Sequence, residues 1–270
     1  MNKAIKYVRI INNMMIKRKK YNVVSILCVV ALMAGNVSDA ASPIRKVGGV
    51  RVNKGQTSIE TRVGYSADHE NSASDKYLQI RQHVDYGFTD YYALRVIAAQ
   101  GKRNHQNVEH NNISIENRFQ LIESADHGWD GGLRLSYTQQ DGDKSPNKLG
   151  MLLAADVPFL KDWEFRHNTI LEHEVGPHAN KGLALSLRHR VVKNISVNSP
   201  VVRKLKVGLA AFNGFGEINN IPAYSDQDHE LRPVAELSFK NGSFVTVGYG
   251  MGISDASPDH AFKMSFGISF

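Results

Sequence analysis

His167 and Thr169 stand two positions apart, and together they could act as an imidazole base and a hydroxyl nucleophile. Residues two apart in a strand point to the same face, so the two side chains share one surface. Hydrolysis by such a pair also needs a third group that orients the imidazole. No acid or amide is clearly placed for that role, and by strand pairing His189 faces His167. We therefore expect no catalytic residue and no enzymatic activity.

Histidines outside this pair could bind a metal ion. Neutral imidazole suits Zn²⁺ and Cu²⁺, so loops that converge could hold such an ion. The run from His173-Glu174 to His178 misses the HExxH spacing of zinc enzymes by one residue and does not lie on a helix. Hydrated loops are the simpler interpretation, and we expect neither a metal site nor a cofactor. The loop histidines are His69, His105, His110, His178, His229 and His260.

The charge of the chain is concentrated at its start. The formal net charge is +7 from 33 basic and 26 acidic residues, but residues 1–41 hold seven of the basic residues and one of the acidic ones. The remainder is nearly neutral, so a nucleic-acid partner has no support. The only cysteine, Cys28, also lies in this leader, and the rest of the chain therefore has no disulfide.

Residues 1–40 have the pattern of a cleaved secretory signal peptide. A basic stretch over 1–20 precedes a short apolar run over 23–33, and small residues follow at Ser38 and Ala40. The apolar run is shorter than the ~20 residues that a membrane-spanning helix needs. We expect cleavage after Ala40, and either Met14 or Met15 would serve equally well as the start.

From Gln56 onward, apolar and polar residues alternate in segments of about ten residues that polar turns separate. This period of two predicts an all-β fold over residues 56–270, a single antiparallel transmembrane β-barrel of about twelve strands. Ten or fourteen strands are left open. The predicted strands cover roughly 57–66, 76–88, 91–101, 111–123, 129–139, 147–159, 163–175, 181–192, 204–214, 229–239, 244–253 and 260–270.

The connections between the predicted strands alternate in length. Those after even-numbered strands are short, apart from 193–203, while those after odd-numbered strands are longer and polar. A barrel with both ends in the periplasm has short periplasmic turns and long outer loops. Aromatic residues, including both Trp129 and Trp163, gather beside the short connections, as expected of a girdle at the membrane interface.

The last predicted strand alternates large apolar residues with small or polar ones and finishes on Phe270. This pattern resembles the C-terminal assembly signal of Gram-negative outer-membrane β-barrel proteins, with Phe266, Ile268 and Phe270 as the signal. The resemblance implies location in the bacterial outer membrane, with membrane lipid and the barrel-assembly machinery as partners. The segment 83–90 is also loosely similar to barrels assigned to transport in a phenol-degradation pathway. That similarity implies passive uptake of small organic molecules.

Strand parity places most charged side chains on one face. Arg or Lys on a lipid face would cost about 2–4 kcal/mol near the midplane, so this face is expected to line the lumen. It holds eleven basic and nine acidic groups, and the basic excess predicts a weak preference for anions. Gln82, Asn117 and His167 fall on the other face, which leaves a register slip open. The expected lumen-lining residues are Arg81, Asp85, Arg95, Glu116, Arg118, Arg134, Arg166, Glu172, Arg188, Arg190, Arg232 and Lys263.

Three functions remain open from the sequence. The first is a porin-like passive channel for small hydrophilic solutes, since twelve strands lie between the eight that side chains fill and the sixteen or more that leave an aqueous channel. The second is a closed structural or surface-recognition barrel with binding loops, and the third is a lipid-modifying hydrolase of the outer membrane. Residues 41–55 are expected to form a periplasmic lead-in, or alternatively to enter the lumen. The sequence does not indicate an oligomeric state.

Overall fold

The structure is a computed structural model that describes residues 42–69, 72, 74–103, 107–140 and 145–270. The predicted signal peptide, residues 1–40, lies outside the described residues, as does His105. Within the described ranges, no helix has the length and apolar character needed to cross a membrane.

The described chain forms twelve strands that close into one barrel, in which every strand pairs antiparallel with its neighbours in the sequence. The first and last strands pair with each other over ten residue pairs, from Ser58 opposite Ser269 to Ala67 opposite His260. The strands are β1 (Thr57–Ala67), β2 (Tyr77–Gly87), β3 (Tyr92–Lys102), β4 (Glu109–Ile122), β5 (Asp130–Gln140), β6 (Asn147–Leu160), β7 (Trp163–Val175), β8 (Ala184–Ile195), β9 (Val202–Glu217), β10 (Asp228–Phe239), β11 (Ser243–Gly252) and β12 (His260–Ser269).

The predicted fold class and the prediction of about twelve strands are confirmed, and the boundaries differ by a few residues at most. The largest differences lie at β8 and β9. Ile195 pairs with Leu205, so the ladder continues into residues that the sequence assigned to a long connection. Because of this pairing, the connection between β8 and β9 is short, like the others that follow even-numbered strands.

The barrel has two distinct ends. The terminal end carries the start of β1, the end of β12 and the short connections 88–91, 123–129, 161–162, 196–201 and 240–242. The loop end carries the longer connections between odd- and even-numbered strands. Two hydrogen bonds of 2.9 Å between Thr57 and Phe270 close the barrel at the terminal end. Two single turns of helix, at Ser124–His127 and Tyr224–Asp226, lie in the connections.

The two faces of the barrel wall differ sharply in chemistry. Outward-facing residues such as Ile59, Val96 and Phe266 are large, apolar and about half exposed. Inward-facing residues include Arg232 and Glu230, which are 0% and 1% exposed. This alternation is what a barrel requires when lipid surrounds it and polar groups fill it.

No register slip accompanies the three polar residues of the outer face. Gln82 lies opposite Thr61, and His167 lies opposite His189, in unbroken parts of their ladders. Asn117 lies opposite Leu135 and accepts a hydrogen bond of 3.0 Å from the hydroxyl of Tyr92. The side chain of Asn117 therefore has a partner on the same face of the wall.

Residues 42–55, called the plug below, pass through the interior of the barrel before β1 begins. Ile44, Val47 and Val50 are 0%, 2% and 3% exposed, although no sheet includes them. The sequence favours a periplasmic lead-in for this segment, whereas the structure has the alternative placement, inside the barrel, where the barrel wall covers its apolar side chains. The plug, rather than side chains alone, fills the centre of the molecule.

Candidate functional site

The plug crosses the interior from the terminal end toward the loop end. Near β1, Gly55 donates a hydrogen bond of 2.7 Å to the carbonyl of Gly87 at the terminal end of β2. Further in, Val47 packs against Ala210 and Phe212 of β9. At its far end, Ser42 donates a hydrogen bond of 2.6 Å to Gln79 near the loop end of β2.

The barrel wall holds the plug mainly through the plug's own backbone. A segment outside any sheet leaves its peptide groups unsatisfied, and buried peptide groups need partners. Inward-facing basic side chains supply them by donating to successive carbonyls. Arg232 donates to Pro43 and Arg45, Lys263 to Arg45, Arg188 to Lys46, Arg166 to Val47, Arg134 to Gly49, and Arg118 to Gly49 and Arg51.

Asn168 of β7 makes the most sheet-like of these contacts. Its side-chain Oδ1 accepts a hydrogen bond of 2.7 Å from the backbone N–H of Gly48, and its Nδ2 donates one of 3.0 Å to the carbonyl of the same residue. Asn168 is fully buried. The side-chain amide therefore takes the place of a neighbouring strand at the centre of the plug.

Cations of the plug are paired with carboxylates of the wall. Arg45 forms ion pairs with Asp228 and, at 2.8 Å, with Glu230. Lys46 lies 2.8 Å from Glu60. Leaving one member of a buried ion pair without its partner typically costs about 3–5 kcal/mol. Withdrawal of the plug from a dry interior would therefore be costly unless water or solute replaced these contacts.

A glycine pair allows the plug to approach the wall closely. A Cβ atom on Gly49 would lie 2.9 Å from the guanidinium of Arg166, and one on Gly48 would crowd Arg134. On the wall, a Cβ atom on Gly64 would lie 2.7 Å from Ile44. Glycine at these three positions leaves space for the arginine side chains of the wall and for Ile44 of the plug.

Networks of ion pairs connect the wall residues around the plug. Asp85 accepts hydrogen bonds of 2.7 Å from Arg95 and 2.6 Å from Arg118, and Arg95 also lies 3.3 Å from Glu116. The charges thus neutralise one another between neighbouring strands while several guanidinium groups still reach the plug.

A second network lies across the barrel, where β7, β8, β9 and β10 adjoin. Glu164 lies 3.2 Å from both Arg166 and Arg190, and 2.9 Å from Lys206. Arg190 also lies 3.2 Å from Glu236. Asp156 also lies 2.6 Å from Arg166, so three basic groups face three carboxylates and the charges of this cluster balance.

All twelve residues expected to line the lumen lie on inward positions of their strands, but their side chains contact different parts of the interior. Arg81, Arg134, Glu116, Glu172 and Arg188 line a pocket between the plug and the loop end. The others contact the plug or one another. The expected assembly residues lie on the outer face of β12, where Phe266 and Phe270 are 54% and 69% exposed.

The outer wall carries the histidine pair that the sequence singled out. His167 Nε2 lies 2.9 Å from Thr169 Oγ1, and His167 Nδ1 lies 3.2 Å from His189 Nδ1. The group beside the imidazole is thus another imidazole rather than a carboxylate or an amide. Base and hydroxyl are in reach of each other, but the third position of a catalytic triad is occupied by a neutral partner.

The other histidines that the structure describes form no metal-binding cluster. Over the described residues, no group of three or more His, Cys, Asp or Glu side chains is arranged to hold a metal ion. His229 stacks on Tyr224 with ring centroids 4.6 Å apart, and His260 lies 2.9 Å from the hydroxyl of Tyr249. His69 pairs with the neighbouring Asp68.

Sequence reasoning did not identify Asn168 and the plug residues as the centre of the interior. In the sequence, Asn168 stands between His167 and Thr169, and no pattern marks it as a contact of the plug. One signal could have found the plug: inward-facing basic groups outnumber the carboxylates, and a nearby segment combines Gly48-Gly49 with the apolar Val47 and Val50. Such a segment offers backbone carbonyls to guanidinium groups.

Comparison with solved structures relates the fold to that of outer-membrane proteins. No protein-family model matches the sequence, and no curated protein matches it either. Among solved structures, an outer membrane channel from Pseudomonas putida F1 is similar with a TM-score of 0.53 and 11% identity, over 84% of this chain and 100% of that one. The NanC porin is similar with a TM-score of 0.53 and 11% identity, over 78% of this chain and 98% of that one. The fold is therefore that of outer-membrane β-barrels.

Proposed function

We propose that the protein is a passive channel of the bacterial outer membrane for small hydrophilic solutes, that it prefers anions, and that the plug controls its opening. The observation that carries this proposal is the ring of inward-facing guanidinium groups around the plug. In this arrangement the terminal end faces the periplasm and the loop end faces the exterior. Membrane lipid and the barrel-assembly machinery are the partners that such a barrel requires.

The charge of the interior supports the anion preference. Strand parity assigns eleven basic and nine acidic groups to the inward wall. Lys148 in the pocket and the buried Asp130 and Asp228 add to these, and the plug contributes the cations Arg45 and Lys46, so basic groups remain in excess. Pores lined by Arg and Lys favour anions. An anion crossing the interior would meet guanidinium groups at every level, from Arg188 toward the loop end to Arg118 toward the terminal end.

The comparisons support a channel as the general class. Two solved structures with similar folds are named as an outer membrane channel and a porin. Both are covered almost entirely by this chain. The proposal takes the general role from that likeness and the solute preference from the residues of this chain alone.

A closed barrel is the second candidate, and the plug is the observation that favours it. Plug atoms bond to wall residues on β1, β2, β4, β5, β7, β8, β10 and β12. A segment held on so many sides blocks passage while it is in place. In this second candidate the plug is permanent and the exposed loops carry any binding function.

Planar-bilayer recording under a salt gradient tests the proposal. We expect the current through the folded barrel to reverse at a potential that favours anions over cations. A reversal potential that favours cations would contradict the anion preference but would still support a channel. Absence of current both from the full chain and from a folded chain without residues 42–52 would contradict the channel and support the closed barrel.

A further inference from the structure

A pocket of about 130 Å³ lies between the plug and the loop end. Arg81, Arg134, Lys148 and Arg188 line it, together with the carboxylates Glu116 and Glu172. Four basic groups against two acidic ones leave this space positively charged. The pocket reaches Lys148 near the start of β6 at the loop end, so a solute arriving from that end could enter it.

Hydroxyl groups also line the pocket, beside Glu116 on β4 and Arg134 on β5. Ser114, Ser136 and Thr138 project from neighbouring strands, and the hydroxyls of Ser114 and Thr138 lie 2.8 Å apart. Hydroxyls both donate and accept hydrogen bonds. The lining therefore suits a small molecule that carries hydroxyl groups besides a negative charge.

Two of the basic residues in the pocket also hold the plug. Arg134 donates to the carbonyl of Gly49, and Arg188 donates to the carbonyl of Lys46 at 3.4 Å. Arg134 is only 7% exposed, and its Nε atom has no hydrogen-bond partner in the described part of the chain. This guanidinium thus retains donor capacity that the plug and Glu116 do not use.

We propose that the pocket binds a small hydroxylated carboxylate, and that the bound anion loosens the plug by taking over Arg134 and Arg188. A carboxylate carries a full negative charge and can accept two parallel hydrogen bonds from one guanidinium, whereas a carbonyl is neutral. An anion in the pocket therefore competes well with the Gly49 and Lys46 carbonyls. The inference rests on the proposed channel function and adds the solute class and the event that opens the plug.

A thiol in the plug would report this event. Cys28 is the only cysteine of the chain, so Val47→Cys in a Cys28→Ser background carries a single thiol. Val47 is 2% exposed beside Ala210 and Phe212, and a thiol there is shielded while the plug is in place. The rate of labelling by a small methanethiosulfonate reagent then measures how often the plug leaves its seat.

We expect glycerate to raise this labelling rate severalfold and in a saturable manner. Glycerol, which has the hydroxyls but no carboxylate, and sodium chloride at equal ionic strength are expected to leave the rate nearly unchanged. If glycerate and sodium chloride accelerated labelling equally, charge screening would explain the effect and the proposal would be overturned. Acceleration by glycerol would also overturn it, because no anion would be needed.

Substitutions locate the effect in the pocket. Arg134→Gln is expected to raise labelling without any anion and to abolish the response to glycerate, and Arg188→Gln provides the same test if the first variant does not fold. Lys161→Gln, in the exposed turn between β6 and β7, makes the same change in charge and is expected to keep the response. A full glycerate response in both arginine variants would overturn the proposed site.

This assay separates the two proposals. Labelling reports plug movement whether or not the barrel conducts ions. Conduction without a glycerate response would support the channel function and contradict the proposed binding pocket. The opposite result is a glycerate response in a barrel that carries no current, either with the plug or without it. This result would support the binding site and contradict the channel function.

Discussion

Asn168 and Gly48 are joined by two hydrogen bonds, one in each direction, between the side-chain amide of a barrel strand and the backbone of the plug. No other described contact pairs both the N–H and the carbonyl of one plug residue with a single side chain. The amide group of asparagine has the same donor and acceptor as a peptide group. The barrel wall therefore holds the plug as one strand would hold another.

The Asn168→Ala substitution is expected to loosen the plug. It leaves the N–H and the carbonyl of Gly48 without partners, and each buried group left unsatisfied costs about 1–3 kcal/mol. Since 1.4 kcal/mol is about a factor of ten in an equilibrium constant, we expect the open fraction in single-channel recordings to rise about tenfold or more.

Asn117→Ala is the matched control for this change, because Asn117 lies on the outer face and its side chain bonds to Tyr92 rather than to the plug. Its open fraction is expected to match that of the unmodified chain. Equal open fractions in Asn168→Ala and Asn117→Ala would show that the Gly48 contact does not hold the plug.

Gly64→Ala is expected to displace the far end of the plug by steric contact alone. The added methyl group would lie 2.7 Å from Ile44 Cγ2 and 2.9 Å from the backbone carbon of Pro43, so the plug must shift. Gly214→Ala also adds a methyl group to an inward position, but it meets Asp228 at an ordinary 3.4 Å. We expect more channel openings in Gly64→Ala only, and similar recordings from both variants would contradict this role of Gly64.

Phe270→Ala is expected to lower assembly in the membrane severalfold. Phe270 is 69% exposed at the terminal end, and its backbone exchanges two hydrogen bonds with Thr57 where the barrel closes. Heat-dependent mobility on gels would measure the folded fraction in outer-membrane preparations. Phe262→Ala, at the loop end of the same strand, is the control and is expected to assemble normally. An equal loss in both variants would indicate a general loss of apolar surface.

His167 is expected to take no part in lipid hydrolysis. Its ring lies within reach of Thr169, but the other ring nitrogen faces His189 and no carboxylate orients it. We expect no release of fatty acid from phospholipid in mixed micelles, either by the unmodified chain or by His167→Ala. Hydrolysis that His167→Ala reduces by about 10²–10⁴-fold, the usual contribution of a general base, would contradict this expectation.

Most of the barrel could be predicted from the sequence because its strands obey a local rule. Lipid on one side and polar groups on the other impose a period of two, which is visible in residues such as those from Phe262 to Phe270 without any knowledge of partners. The assignment of the guanidinium groups to the interior followed from the same parity. The ends of β8 and β9 were missed because pairing there continues through residues without clear alternation.

The plug could not be placed with the same means. Residues 42–55 form no sheet, so no periodicity reveals which surface they face. Their position depends on distant wall residues, such as Asn168 and Arg232, that lie more than a hundred positions away in the sequence. The inward basic residues follow from parity, but their contacts with the backbone carbonyls of the plug leave no trace in the sequence.

Removal of the plug tests the central claim most directly. Single-channel conductance should be compared between the full chain and a chain that lacks residues 42–52, after heat-dependent gel mobility has shown that both barrels are folded. We expect the shortened chain to conduct steadily, with a conductance severalfold above that of the full chain and a reversal potential that favours anions. Equal conductance in the two chains, or no current from the folded barrel without its plug, would contradict the account of a plug-controlled channel.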